Sequence, residues 1–318
     1  MVADSDQPSG RAVDWLDVRG VQLGHPYGGD ARAWGQDAGE VRAAADDPMR
    51  IRVLTVARYE KGKIGEVTDE VAAEEPLELR VDGRPLAVIM RTPGHDRFLA
   101  AGFLLSEGII QTARDLREIG PAPDRDGFPQ PNALEIRLRP ELEDPGHPWQ
   151  RRFTVTTSCG VCGRASIDAV LGRVPPLSER ITIAAAVLLG LEERLRSSQP
   201  VFTRTGGLHA AALFDLSGRL IVAHEDVGRH NAVDKVIGQL LLQGQLPAPV
   251  SILLVSGRAS FELVQKAVVA RIPFLIAVGA PSSLAVELAR AAGVTLVGLL
   301  RPHRFTLYAH PERLRLAP

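Results

Sequence analysis

The feature that most constrains the fold is an alternation of apolar and amphipathic segments near the C-terminus. Three runs, Val250–Val255, Phe274–Val278 and Thr295–Leu300, are apolar along most of their length and predict strands buried on both sides. The segments between them, Phe261–Ala270 and Ser283–Ala292, predict amphipathic helices. Apolar strands that alternate with helices form a parallel sheet covered on both faces. The sequence therefore predicts an α/β fold.

Residues 49–150 predict a smaller α+β region. Strands are expected at Ile51–Ala57, Leu77–Val81, Pro85–Arg91 and Leu134–Leu138, with a hairpin turn at Asp82-Gly83. Asp96 is expected to cap an amphipathic helix, Arg97–Glu107. Residues 121–132 and 140–149 are rich in Pro, Gly and Asp, and these two segments predict loops.

The chain is predicted to divide into a disordered extension at residues 1–48, the α+β region, and a main domain at residues 151–318. The extension contains nine acidic residues and four arginines, with too little apolar surface to offset the entropy of ordering. Further strands of the main domain are predicted at Arg152–Thr157, Leu208–Asp215 and Arg219–Ala223, and helices ending at Leu171 and spanning Ala184–Ser197 and Arg229–Leu242.

Composition excludes several classes of protein. The 37 basic and 38 acidic residues nearly cancel, which argues against binding nucleic acid by bulk charge. The longest apolar stretches, such as Ile181–Leu191 and Ile272–Pro281, are too short to cross a membrane. The N-terminus has no secretory signal pattern, and two cysteines cannot form a disulfide framework. We therefore expect a cytoplasmic protein that binds neither membranes nor nucleic acid.

The only two cysteines, Cys159 and Cys162, stand three residues apart within Ser158–Gly163. A buried structural role is the ordinary explanation for an intracellular cysteine. Here glycines flank the pair, and the predicted strand-to-helix junction would favour the thiolate, because helix N-terminal amides stabilise negative charge. The pair is therefore a candidate for reactive chemistry.

Three chemistries fit the cysteine pair. A structural zinc site needs four ligands, and the sequence supplies neither a second cysteine pair nor a suitable histidine pair, so no permanent metal is predicted. A dithiol oxidoreductase would cycle between thiols and a disulfide. A sulfur carrier would hold a persulfide on one cysteine, while the other resolves or tunes it. The spacing does not decide between the last two.

A dense polar cluster, His224–Lys235, surrounds the start of the predicted helix at Arg229. Asp226 is expected to cap this helix. Arg229, His230, Asn231 and Lys235 place hydrogen-bond donors on its first turns, where helix amides already attract anions. A solvated helix face is the simpler explanation, and an anion site is at least as well supported. His209, which follows Gly206-Gly207, is expected to be a satisfied histidine beside a turn.

The carboxyl ends of the predicted parallel strands form a second candidate site. The residues that follow these strands are small, hydroxyl-bearing or basic: Ser256, Gly257 and Arg258; Ser282; and Arg301, Pro302, His303 and Arg304. Open α/β sheets bind ligands at this edge, and arginines and helix N-termini suit phosphate. The chain has no P-loop and no dinucleotide-binding glycine fingerprint. The sequence therefore predicts a site for a phosphorylated ligand of another class.

The motifs together resemble the formate dehydrogenase accessory sulfurtransferase (FdhD) family. They occur in the family's order from about residue 50 to the end: Glu74–Leu77, Arg91–Asp96, Gly102–Gly108, Ser158–Gly163, Thr205–His209, Glu225–Lys235 and Ser256–Lys266. The first 48 residues fall outside the resemblance.

The resemblance implies a function and a set of site residues. Such a protein takes sulfur from a cysteine desulfurase and delivers it to the molybdenum cofactor, as bis(molybdopterin guanine dinucleotide), before this cofactor enters formate dehydrogenase. Cys159 matches the persulfide-forming cysteine and Cys162 its partner in the pair. The segment from Leu299 and Leu300 to Arg304 matches the family's cofactor-binding segment.

The resemblance also implies a three-layer main domain similar to cytidine deaminase, and a homodimer. The fold does not imply deamination, because that chemistry needs His-x-Glu followed by Pro-Cys-x-x-Cys. Here Ser158 precedes the cysteine pair, and the pair lies upstream of His224-Glu225. A dithiol oxidoreductase and a zinc-binding deaminase-like protein remain the alternatives.

Overall fold

The computed structural model describes residues 49–142, 163–172, 174–178, 181–248 and 250–316, all within one compact unit. Residues 1–48, the predicted strand Arg152–Thr157, both cysteines and the predicted domain boundary at residue 150 lie outside these ranges.

The described ranges contain the following strands and α-helices, numbered in chain order. The strands are β1 (Ile51–Glu60), β2 (Lys63–Ala72), β3 (Glu75–Val81), β4 (Arg84–Arg91), β5 (Leu116–Pro123), β6 (Pro129–Leu138), β7 (Ile183–Ala184), β8 (His209–Asp215), β9 (Leu220–Asp226), β10 (Ser251–Val255), β11 (Phe274–Ala277), β12 (Thr295–Arg301), β13 (Arg304–Ala309) and β14 (Leu314–Arg315). The helices are α1 (Asp96–Glu107), α2 (Gly163–Leu171), α3 (Ala185–Leu189), α4 (Leu191–Ser197), α5 (Pro200–Thr205), α6 (Arg229–Leu242), α7 (Phe261–Val269) and α8 (Ser283–Ala292).

A six-stranded mixed sheet is the centre of the fold, with strand order β13-β12-β11-β10-β8-β9. Strands β10, β11 and β12 are parallel, as predicted. On one side β8 and β9 continue the sheet in antiparallel pairing, and on the other side β13 pairs antiparallel with β12. The expectation of a parallel sheet is therefore correct for the three central strands only. The α/β fold class is confirmed.

Alternate residues of the central strands belong to two different cores. On β10, Leu253 and Val255 join the core that includes residues of α6, α7 and α8, whereas Ile252 and Leu254 join the core that includes residues of α3 and α4. All four side chains are at most 1% exposed. The apolar strands are thus buried on both faces, which is what their lack of a polar side predicted.

A four-stranded sheet of order β4-β3-β6-β5 packs on the same core through α1. Helix α1 crosses α6 at two glycines, Gly102 and Gly238. A Cβ atom on Gly238 would overlap the backbone oxygen of Phe98, and one on Gly102 would overlap that of Asp234. The close crossing therefore requires glycine at both positions.

Two regions for which the sequence predicted no strand form strands. Strand β2 pairs with β1 along ten residue pairs, although only Ile51 of these twenty residues is buried. Strand β5 and the start of β6 occupy part of residues 121–132. The apolar alternation that marks a half-buried strand is absent from an exposed ribbon, and prolines are tolerated in an edge strand such as β5. Both strands therefore lack the usual sequence signal.

Helix boundaries also differ from three expectations. The predicted helix Ala184–Ser197 is split into α3 and α4 at Gly190. The residue before α1 is His95, with φ of 59°, and Asp96 is the first helical residue; its carboxylate accepts hydrogen bonds from Arg91. At the start of α6, Gly228 takes the capping position expected for Asp226.

Candidate functional site

The carboxyl ends of β10, β11 and β12 lie side by side, and we call residues 256–260, 278–283 and 298–304 the sheet edge. The Gly279 amide donates to the Gly257 carbonyl oxygen at 2.9 Å, and the Leu299 amide donates to the Gly279 carbonyl oxygen at 3.1 Å. A Cβ on Gly279 would lie 2.9 Å from the backbone of Arg258, so only glycine allows this approach. The structure therefore brings together the three segments that the sequence predicted to bind a phosphorylated ligand.

His209 and Arg229 join the sheet edge at Gly257. A Cβ on Gly257 would lie 3.4 Å from Nδ1 of His209 and 3.7 Å from Cδ of Arg229. Ser256 Oγ accepts a hydrogen bond from the Ala210 amide at 2.9 Å, which fixes the loop beside the start of β8. Burial lowers the pKa of His209, and the charges of Arg229 and His230 lower it further. A neutral His209 thus lies among cationic side chains.

Two arginines near this point have no counter-charge within the described ranges. Neither Arg229 nor Arg258 forms a hydrogen bond or an ion pair with a described residue, and Arg229 Nε is buried without a partner. Arg258 is exposed. Guanidinium groups left open in this way are suited to binding an anion.

His230 is held at the start of α7. Its Nε2 lies 3.2 Å from Ser260 Oγ and 3.5 Å from Glu262 Oε2. The hydrogen bond with His230 lowers the pKa of Glu262 to about 2, with a further contribution from Ser260. The imidazole therefore has a fixed orientation beside the sheet edge.

Asn231 and Lys235 do not contribute to an anion site, contrary to the sequence-based expectation. Lys235 is completely buried, and its Nζ lies 2.7 Å from Asp226 Oδ2 and 2.9 Å from the Thr92 carbonyl oxygen. Asn231 donates to Asp226 Oδ1 at 2.9 Å and to the Met90 carbonyl oxygen at 2.8 Å. A buried carboxylate such as that of Asp226 must be paired with hydrogen-bond donors, and Lys235 and Asn231 supply them. The same two side chains also bond to backbone oxygens of Met90 and Thr92, and so they link α6 to the end of β4 and the β4–α1 connection.

The segment from Leu299 to Arg304, which we call the β12–β13 turn, comprises the end of β12, the connection at Pro302-His303 and the first residue of β13. It is therefore part of a hairpin rather than a loop after the last strand. Leu299 has φ of 54° and is 38% exposed. The Leu300 side chain is completely buried in the second core, so only the backbone of this predicted binding residue is available to a ligand. Arg301, Pro302, His303 and Arg304 are exposed.

Arg301 is anchored to the sheet edge, since its Nη1 donates to the Val278 carbonyl oxygen at 2.9 Å. Ser282 is the N-cap of α8, and its Oγ accepts from the Ala285 amide at 3.3 Å. All predicted binding residues thus lie at the sheet edge or at the adjacent start of α6, although the Leu300 side chain is buried in the core. His209 is the residue that sequence reasoning passed over. The sequence feature that marks His209 is the glycine pair Gly206-Gly207 shortly before it, and such a pair by itself indicates only a turn.

Cys159 and Cys162 lie outside the described residues. Gly163, which follows Cys162, is the first residue of α2, so the predicted helix ending at Leu171 is confirmed. None of the helices in the described ranges has both the length and the apolar character needed to span a bilayer.

Comparison with known proteins adds a family assignment. Residues 72–315 match the FdhD/NarQ family. The chain is 49% identical over 270 residues to the sulfur carrier protein FdhD of Streptomyces coelicolor, an alignment that covers 82% of this chain and 94% of that protein. It is 51% identical over 250 residues to the sulfur carrier protein FdhD of Mycolicibacterium paratuberculosis, covering 77% and 92% of the two chains.

A solved structure from Desulfotalea psychrophila, described as that of a candidate formate dehydrogenase accessory protein, has a similar fold. The TM-score is 0.65 at 28% sequence identity, with 83% of this chain and 99% of that chain covered. The assignment is clear, because the family match extends over most of the chain and two relatives are 49% and 51% identical across the aligned residues. The chain belongs to the FdhD/NarQ family.

Proposed function

We propose that this protein is a sulfur carrier that holds sulfur as a persulfide on Cys159. It receives the sulfur from a cysteine desulfurase and passes it to the molybdenum cofactor, in the bis(molybdopterin guanine dinucleotide) form, before this cofactor enters formate dehydrogenase. The protein acts in the cytoplasm and as a homodimer.

One observation carries the proposal. The two cysteines of the chain form a Cys-x-x-Cys pair inside the segment matched to the family, and the relatives that align with most of this chain are named sulfur carrier proteins. A chain with a single reactive cysteine pair has only that pair available for carrying sulfur as a persulfide. The position of Cys162 directly before α2 also suits a thiolate.

The loading step needs no oxidant. The Cys159 thiolate attacks the terminal sulfur of the desulfurase persulfide, the S–S bond of that persulfide breaks, and the desulfurase thiolate leaves. Delivery has two possible routes. In the first, the acceptor donates an electron pair to the terminal sulfur of the persulfide, the S–S bond breaks and the Cys159 thiolate leaves. In the second, the Cys162 thiolate attacks the Cys159 sulfur. The second route forms a Cys159–Cys162 disulfide and releases hydrosulfide, so the two thiols supply both electrons.

The sheet edge supports the proposed acceptor. A guanine dinucleotide carries pyrophosphate, and Arg229, Arg258, Arg301 and Arg304 place cationic groups around the starts of α6, α7 and α8. Helix N-termini and arginines are the two elements that most often bind phosphate in proteins.

The proposal is tested by activation of formate dehydrogenase. Cys159→Ala removes the sulfur acceptor, so we expect no activation above background. We expect Cys162→Ala to retain part of the activity if the acceptor takes sulfur directly. Thermal melting of each variant checks the fold, and full activation by Cys159→Ala would contradict the proposal.

A further inference from the structure

The motif Arg91–Asp96 joins β4 to α1, and the proposed function assigns it no role. Its second residue, Thr92, is completely buried. The amide, the carbonyl oxygen and the hydroxyl of Thr92 all form hydrogen bonds with the β9–α6 junction, which consists of Asp226, the turn Val227-Gly228 and the first two turns of α6. The motif therefore fixes the start of α6 from a distant part of the chain.

The Thr92 hydroxyl supplies the partner that the Val227 amide needs. The pairing of β8 with β9 ends at His209 and Asp226, so the Val227 amide lies beyond the last strand pair. It donates to Thr92 Oγ1 at 3.1 Å, and the next amide, that of Gly228, donates to Asp226 Oδ1 at 2.8 Å. Because buried amides must be hydrogen-bonded, Thr92 and Asp226 together hold the backbone of the turn directly before α6.

Thr92 is itself held in a fixed position. Its amide donates to Asp226 Oδ2 at 3.2 Å, and its carbonyl oxygen accepts from Lys235 Nζ at 2.9 Å. On either side of Thr92 the chain is closed by an ion pair, in which Arg91 Nε and Nη2 donate to the two carboxylate oxygens of Asp96 at 2.9 Å each. A bidentate pair of this kind has a defined geometry. Thr92 is therefore a rigid support for the turn.

The turn that Thr92 holds leads directly into Arg229, one of the open cations of the candidate site. Arg229 follows Gly228, and its Cδ would lie 3.7 Å from a Cβ on Gly257 at the sheet edge. Its Nε is buried, and its side chain has no hydrogen-bond partner among the described residues. Because no neighbouring side chain in these ranges holds the guanidinium, its place beside Gly257 depends on the backbone of the turn.

We propose that Thr92 is a positioning residue for anion binding: through the Val227 amide it holds the turn before α6 so that Arg229 lies beside Gly257. This inference rests on the proposed function, which assigns the phosphorylated acceptor to the sheet edge. Thr92 is buried and does not touch a ligand, so an effect of its hydroxyl on binding passes through the turn.

The test measures the affinity of the protein for inorganic pyrophosphate by calorimetry. Thr92→Val keeps the shape of the side chain but removes the hydroxyl, so the turn adopts other arrangements for part of the time and the apparent affinity falls with the competent fraction. We expect a loss of about tenfold, the effect of one buried hydrogen bond. Thr92→Ser retains the hydroxyl and should bind pyrophosphate nearly as tightly as the parent does.

Thr295→Val is the matched control. Thr295 is also completely buried, and its Oγ1 donates to the His310 carbonyl oxygen at 3.3 Å, at the end of β12 opposite to the sheet edge. Its loss should lower the melting temperature and leave the pyrophosphate affinity unchanged. Thr92→Ala removes the same hydroxyl without adding a methyl group, and it serves as a second variant should Thr92→Val not fold.

A double-mutant cycle tests whether the effect passes through Arg229. Arg229→Met should itself weaken pyrophosphate binding, and adding Thr92→Val should cause no further loss, because no guanidinium is left to position. The inference is overturned if the two effects are additive, if Thr92→Val binds as tightly as the parent, if Thr295→Val loses as much affinity, or if the parent does not bind pyrophosphate. Failure of both Thr92→Val and Thr92→Ala to fold would show that the hydroxyl serves the fold alone, and would overturn it as well.

Persulfide loading of the same proteins separates this inference from the proposed function. Thr92→Val should load sulfur on Cys159 as well as the parent does. Weaker pyrophosphate binding by Thr92→Val, in a protein whose parent never loads sulfur, would support the positioning role and contradict the sulfur carrier. Normal loading with equal pyrophosphate affinities of parent and Thr92→Val would have the opposite meaning.

Discussion

At the scale of single residues, the cationic side chains in and near the candidate site are of two kinds, lysines in buried ion pairs and arginines without a counter-charge among the described residues. Lys235 lies in a completely buried ion pair with Asp226, and Lys266 donates to both carboxylate oxygens of Asp234 at 2.7 and 2.8 Å. Arg229 and Arg258 form no such pair within the described ranges. Removing one partner of a buried pair leaves an uncompensated charge, so the two lysines are already committed to neutralising Asp226 and Asp234. The open arginines are therefore the ones to test for ligand binding.

The arginines of the β12–β13 turn are predicted to bind a guanine-nucleotide end of the proposed acceptor. Each charge-assisted contact contributes about 1.5–3 kcal/mol, so Arg301→Ala together with Arg304→Ala should weaken GDP binding about 100-fold or more. Calorimetry at low and moderate salt measures this change. Arg315→Ala, an exposed arginine on β14, is the control. Equal GDP affinity of the parent and the double variant would place this nucleotide elsewhere.

His224 is predicted to make the protein sensitive to acid. Burial lowers its pKa from 6.5 to about 3, with a smaller effect of His95, and its Nε2 lies 2.7 Å from Gln239 Oε1. The unfolded chain binds a proton near pH 6.5 while the folded protein does not. Stability is therefore present above pH 6.5 and is lost as the pH falls toward 3, by up to about 1.4 kcal/mol per pH unit.

Thermal melting of the parent and of His224→Gln between pH 7 and pH 4 tests this account. The variant removes the titrating group, so its melting temperature should fall less across this range than that of the parent. Parallel pH profiles for the two proteins would show that protonation of His224 is not linked to unfolding.

At the scale of elements, the α1–α6 crossing determines where the start of α6 lies relative to the sheet edge. Gly238→Ala should lower the free energy of unfolding by about 1–3 kcal/mol, because the added methyl group overlaps the Phe98 carbonyl oxygen. Chemical denaturation measures the change. Gly65→Ala is the control, since a Cβ there would meet nothing within 4 Å. Stabilisation by Gly238→Ala, the effect expected in an exposed helix, would contradict the close packing.

Elements buried in the main core were predictable from the sequence, and exposed ones were not. Helices Arg229–Leu242 and Ser283–Ala292 have the predicted bounds, because their apolar residues follow the helical period on one side of the sheet. Strand β2 carries charged residues on a ribbon with little burial, so no period-two pattern marks it. Strand β13 is the outermost strand of the six-stranded sheet and begins with the exposed Arg304, and the sequence predicted no strand there.

The candidate site was predictable where it follows a general rule of the fold. Open α/β sheets bind ligands at the carboxyl ends of their parallel strands. Ser256–Arg258, Ser282 and Arg301 could therefore be predicted as binding residues from the sequence. The approach of His209 to Gly257 depends on the antiparallel pairing of β8 with β10, and no local pattern encodes that pairing. The buried state of Lys235 likewise arises from Thr92, a residue distant in sequence.

At the scale of the whole molecule, the account requires two chemistries in one chain: a cysteine pair that accepts sulfur and a sheet edge that binds a phosphorylated acceptor. Segments from β8, α6, β10, β11 and β12 converge at this edge. The convergence supports acceptor binding, whereas the sulfur chemistry depends on Cys159.

The most direct test of the central claim is the intact mass of the protein after incubation with a cysteine desulfurase and cysteine. The account predicts the addition of one sulfur atom, about 32 Da, on Cys159, removed by a thiol reductant and absent from Cys159→Ala. An unchanged mass of both the parent and Cys162→Ala, in which no second thiol can release the sulfur as hydrosulfide, would contradict the sulfur carrier and favour a dithiol oxidoreductase.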